Sequence, residues 1–108
     1  MTRNFFVFLA VTTAATSAVA QTPSEAEQRY QRGVALYQAR NFEGALVEFQ
    51  RAYELSNSTE LLFNIGRTQE ALSHYPAAAC ALDAYLRGAQ TLPPARRGEV
   101  QAVLDRVR

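Results

Sequence analysis

The chain contains no lysine; each of its eleven basic residues is arginine. It holds one cysteine, Cys80, and one histidine, His74. Each scarcity excludes something. A single thiol cannot form a disulfide within the chain, so the fold must stand on packing alone. In an Ala-rich helix Cys80 reads as a small packing residue, with a bridge between two copies as the alternative. A single imidazole cannot assemble a metal site, which takes several His, Cys or carboxylate ligands at set spacing. Beside Tyr75 and Pro76, His74 reads as a cap or a solvent-facing residue. No Gly-rich phosphate loop, no C-x-x-C pair and no G-x-S-x-G elbow is present. Ser24, Ser56, Ser58 and Thr59 stand where helix caps are needed. Without convergent titratable groups, the expectation is a protein with no catalytic residue, no metal and no cofactor.

Eleven arginines oppose ten acids. With Arg3 set aside the balance is ten to ten, a mixed and neutral surface. Nucleic acid requires a clustered basic face, so it is not expected as a partner, and nothing favours anionic lipid.

Arg3 belongs to the opening stretch "MTRNFFVFLAVTTAATSAVA". One early cation, an apolar run from Phe5 to Val11 and the small residues Ala18-Val19-Ala20 make the three parts of a secretory signal. The apolar run falls short of the roughly 20 residues that span a bilayer. The expectation is cleavage after Ala20 and export to the periplasm or outside the cell, with no membrane attachment afterwards. An uncleaved N-terminal anchor is the alternative. No cysteine follows the cleavage site to carry a lipid.

From residue 24 onward the pattern is helical. Ser24 with Glu27 has the form of a capping box, and Tyr30, Val34 and Tyr37 recur at spacings of four and three on one helical face. Asn41 reads as the cap of a second helix holding Phe42, Ala45, Leu46, Phe49, Ala52 and Tyr53 to about Leu55. A third starts at Ser58 or Thr59 and carries Leu61, Leu62, Ile65, Gly66 and Leu72. A fourth has Pro76 in its first turn and runs to about Gly88. A fifth follows Pro93-Pro94 with Val100, Val103, Leu104 and Val107. The spacing predicts an all-α protein of five helices without strands.

These helices repeat. Gly33 and Gly66 lie 33 residues apart, as do Phe42 and Tyr75, Ala45 and Ala78, and Phe49 and Leu82. The unit resembles the tetratricopeptide repeat, whose outline over about 34 residues is W-x2-L-G-x2-Y, then A-x3-F, then P. Gly33, Ala45, Phe49 and Ala52 carry the resemblance in the first copy; Leu62, Ile65, Gly66, Ala78 and Leu82 carry it in the second. Leu36 and Gln69 take the Tyr slots, Tyr85 takes the late Ala slot and Asn57 stands in place of the closing Pro. Arg29 and Arg32 replace apolar residues, which suggests a first helix facing solvent as the end of a stack.

The resemblance implies two stacked helix-turn-helix repeats, about 26–58 and 59–91, in a short right-handed solenoid with a capping helix at about 94–108. It further implies that Gly33 faces Ala45 and Gly66 faces Ala78, with Phe49 and Leu82 filling space toward neighbouring helices. Two repeats are fewer than the three or so that stack stably, so the fifth helix is expected to cover the second repeat. A further alternative is that the chain is a piece of a larger envelope protein.

By the same resemblance the first helix of each repeat lines a concave face that binds a partner peptide or protein. The expected partner-binding residues are Tyr30, Val34, Tyr37, Phe63, Arg67 and Glu70, within a wider set that includes Glu27, Gln38, Glu60 and Ala71. Aromatics lead because they offer large contact area at low entropic cost. The alternative for Tyr37 and Phe63 is packing against the neighbouring helix. Of the Lys, Asn and Arg set with which one family variant grips a terminal carboxylate, only Asn64 is present. The function expected is a non-enzymatic adaptor or scaffold. The structural alternative is a homodimer through an exposed Val100–Val107 face.

Overall fold

The computed structural model describes residues 22–108, which form five helices and, among the described residues, no strand. They are α1 (Glu25–Gln38), α2 (Phe42–Ser56), α3 (Thr59–Ala71), α4 (Tyr75–Gly88) and α5 (Pro94–Val107). The expected secretory signal lies outside the described residues. Two helix starts are held by their caps. Ser24 Oγ accepts from the Glu27 amide at 3.1 Å, and Asn41 Oδ1 accepts from the Gly44 amide at 3.0 Å. At the other two turns the expected cap is missing. Ser58 makes no side-chain cap, and its own amide donates to Ser56 Oγ at 3.2 Å. His74 stands at the cap position of α4, yet its ring turns to Gln69, with Nδ1 2.8 Å from Oε1.

The 33-residue offset recurs in the backbone. α1 and α3 both end by turning one residue into the left-handed region, Arg40 at φ 64° and Ser73 at φ 60°. In each case the next amide reaches back five residues. Asn41 donates to the Leu36 carbonyl at 2.8 Å, and His74 donates to that of Gln69 at 2.9 Å. Arg40 donates to Tyr37 and Ser73 to Glu70, both at 2.9 Å. This pair of bonds satisfies the last carbonyls of a helix, and its repetition gives the two turns the same geometry.

The glycines mark the close approaches within each pair. A Cβ on Gly33 would lie 2.6 Å from Cε1 of Phe49, and one on Gly66 would lie 2.6 Å from Cγ of Leu82. At Gly33 the nearest neighbour is thus the Phe49 ring. At Gly66 it is Leu82, with the Ala78 carbonyl oxygen next at 3.5 Å. The residue four positions beyond the alanine projects back over the facing helix, and only a missing side chain lets it lie flat there.

The helices pack in chain order, α1 on α2, α2 on α3, α3 on α4 and α4 on α5, with α5 also touching α3. Two cores result. One joins Ala45, Phe49 and Ala52 of α2 to Leu61 and Ile65 of α3. The other joins Ala78, Leu82 and Tyr85 of α4 to Val100, Val103, Leu104 and Val107 of α5. Burying each Phe or Leu contributes roughly 1.5–3 kcal/mol.

Three expectations are corrected here. Val100 to Val107 offer no exposed apolar face, since Val100, Val103, Leu104 and Val107 are buried against α4 and only the small Ala102 is exposed. Arg29 does not face open solvent. It is half-buried and meets Glu48 of α2 at 3.4 Å, whereas Arg32, which reaches the same carboxylate at 3.6 Å, stays exposed on α1 as expected. Cys80 is exposed, so it fills no gap in the core.

Candidate functional site

The spacing of Tyr30, Val34 and Tyr37 places them on one face of α1, and that face borders a hollow of about 410 Å³. Phe49 of α2 forms part of its lining, Phe63, Asn64 and Arg67 of α3 stand opposite, and Glu99 enters from α5. Five of the six expected residues thus share one hollow. The sixth, Glu70, lines an adjoining hollow of about 520 Å³ with Tyr37, Arg67, Ala71, Tyr75, Arg106 and Val107. Toward the start of α1 a third, of about 400 Å³, shares Tyr30 and Asn64 and includes Glu27 and Glu60.

The aromatic residues differ in freedom. Tyr30 is 40% exposed, although its ring lies 6.1 Å from that of Phe49. Tyr37 is half-buried, edge-on to Phe42 with centroids 5.1 Å apart. Phe63 is covered from two sides, by the Tyr85 ring at 5.5 Å and by the Arg96 guanidinium 4.0 Å from its centroid. A cation so close to a ring face is attracted by its quadrupole, so Phe63 is held in place while Tyr30 is the most open of these three rings.

The wall opposite α1 is charged. Glu60 meets Arg96 at 3.6 Å, Arg96 meets Glu99 at 3.7 Å and Glu99 meets Arg67 at 3.4 Å. Arg67 then meets Glu70 at 3.6 Å, and Glu70 meets Arg106 at 2.8 Å. Three carboxylates and three guanidiniums alternate along the α3–α5 seam, and their formal charges cancel. Each exposed pair is worth only about 0.2–1 kcal/mol, but together they fix the orientation of the long side chains along the wall. Tyr85 anchors one end, its hydroxyl donating to Glu60 Oε1 at 3.0 Å. Burial, followed by the hydrogen bond to Glu60 and that residue's charge, raises the phenol pKa above its ordinary 10.0.

Asn64 gives its amide to the Glu60 carbonyl at 3.2 Å. Sequence reasoning missed Glu99 and Arg96, because no local pattern tells which face of α5 meets α3. Among the described residues no group of three or more His, Cys, Asp or Glu is placed to hold a metal ion, and no helix is long and apolar enough to cross a membrane. The hollow has an aromatic wall and an internally paired polar wall. Comparison with protein-family models, curated proteins and solved structures finds no match to this chain.

Proposed function

We propose that this protein is a short tetratricopeptide-type adaptor of the cell envelope, exported with cleavage after Ala20, that holds a segment of a partner protein between α1 and α3. The observation that carries the reading is the shared lining of one hollow by Tyr30, Val34, Tyr37, Phe63 and Arg67. Residues from two sequence-distant helices of a 33-residue repeat converge there, as the concave face of such a stack requires. The solenoid arrangement belongs to the same proposal and is supported by the packing in chain order and the matching turns at Arg40 and Ser73. The partner's apolar side chains are expected against Tyr30, Val34 and Tyr37, with its polar groups toward Asn64 and the paired charges.

The test is a photo-reactive group at Tyr30 in the source cell, with a matched group at Val47, which is 61% exposed on α2. A discrete adduct with another protein from Tyr30, absent from Val47, supports the adaptor. An adduct at twice the mature mass points to self-association instead. No adduct from a folded and exported protein overturns the reading. N-terminal sequencing of the same material checks export, with Gln21 expected as the first residue.

A further inference from the structure

We infer that α5 opens and closes as a unit of its own, seated on α4 by its buried valines and tuned by three ion pairs to α3, while α1 to α4 stay folded. The inference does not depend on the binding reading. Three observations carry it.

The first is how each helix is held. α1 and α2 interlock through Phe49 pressed on Gly33, and α3 and α4 through Leu82 pressed on Gly66. Thr59 closes on Gly88 in the same manner, with 2.9 Å left for a Cβ. The only glycine of α5, Gly98, has nothing within 4 Å of where its Cβ would be. α5 instead lays three valines and a leucine on α4, a face that can separate without threading a side chain out of a socket.

The second is the chemistry of the contact with α3. Arg96, Glu99 and Arg106 of α5 meet Glu60, Arg67 and Glu70 of α3 as ion pairs. Arg108, beyond the helix, pairs with Asp83 of α4. Interactions of this kind weaken as salt shortens the screening length from about 10 Å at 0.1 M to about 3 Å at 1 M. Among the other helices of the described residues, ion pairs cross only from α1 to α2, where Arg29 and Arg32 share the half-buried Glu48 beside the apolar core.

The third is the tether. Ala89 still donates to the Tyr85 carbonyl and Arg97 to that of Pro93. Between them, residues 90–92 make no backbone hydrogen bond to another part of the described chain. α5 starts at Pro94 after Pro93 with no side-chain cap. Swinging α5 away therefore breaks no backbone ladder. Opening removes Arg96 from the Phe63 face and Glu99 from the hollow, and it uncovers Leu82 and Tyr85. Regions that open below the global unfolding free energy are those with this combination of few interlocks and exposed polar contacts.

Native-state amide hydrogen exchange on the intact chain, at constant pH in 50 mM and 1 M NaCl, tests this. The expected result is one shared protection factor for Val100, Val103 and Leu104, below that of α3 and α4, and about tenfold lower in high salt, the sum of several weak pairs. The α1–α4 amides change less than twofold. Glu70→Arg reproduces the high-salt exchange in low salt, and adding Arg106→Glu restores it. Protection of α5 equal to that of α3, a smooth gradient of fraying from Arg108, or no response to salt would each overturn the inference.

Discussion

In the α1–α2 pair a phenyl ring lies on Gly33. In the α3–α4 pair, 33 residues later, a leucine lies on Gly66. The turns between helices are alike to the hydrogen bond, yet Asn41 caps its helix while His74 at the same place bonds Gln69. Ala52 of the first pair lets α3 come close, whereas its counterpart Tyr85 extends to Glu60 and packs on Phe63. The comparison teaches that backbone geometry is shared where the repeat is internal. Side chains diverge where a pair meets a different neighbour: the large Tyr85 faces the small Val100 and Val103 of α5, and the small Ala52 faces Leu61 and Ile65 of α3. Each interface is filled by one large and one small partner, as close packing demands.

The comparison breaks most readily at the glycines. Gly33→Val should cost about 2–3 kcal/mol by overpacking, because the Phe49 ring is buried and can only tilt. Gly66→Val should cost about 1–2 kcal/mol, because Leu82, though fully buried, is smaller than the Phe49 ring. Urea unfolding followed by helical circular dichroism measures both, and equal costs would mean that ring and leucine are equally confined.

Tyr85→Phe separates what the second pair gained. Losing the hydroxyl bond to Glu60 should cost about 1.5–3 kcal/mol at neutral pH, the range for a bond to a charged group. The pH profile adds a sign. The folded phenol titrates above its ordinary 10.0, so the stability it lends is complete below pH 10 and declines as pH rises through the raised value. Wild type should lose this increment in alkaline urea titrations and Tyr85→Phe should not. Parallel profiles would assign the phenol no role in stability.

The smallest effect tests where the two copies agree. Arg40 and Ser73 both hold a left-handed conformation that costs a side-chain-bearing residue about 1–2 kcal/mol. Arg40→Gly and Ser73→Gly should each stabilise by about 0.5–1 kcal/mol after the extra freedom of glycine in the unfolded chain is counted. Matching shifts in thermal midpoint confirm equivalent turns, and a shift of opposite sign at one of them ends the equivalence.

Five helices, their ends to within a residue or two, and the 33-residue offset are legible in the chain because they follow from local spacing. A helical period, an Asn before a Phe or a Pro in a first turn acts within a few residues of itself. The candidate hollow was legible in part for the same reason, since Tyr30, Val34 and Tyr37 share a face of one helix whatever that face meets. Tertiary structure decided the rest. That the Phe49 ring lies on Gly33, that Arg29 and Arg32 converge on Glu48, and that Arg96 covers Phe63 all depend on how two helices cross. The α3–α5 seam joins residues 32 to 36 positions apart. No period within either helix encodes that register; it is set only when α5 settles its valines on α4 and so brings its arginines to the glutamates of α3.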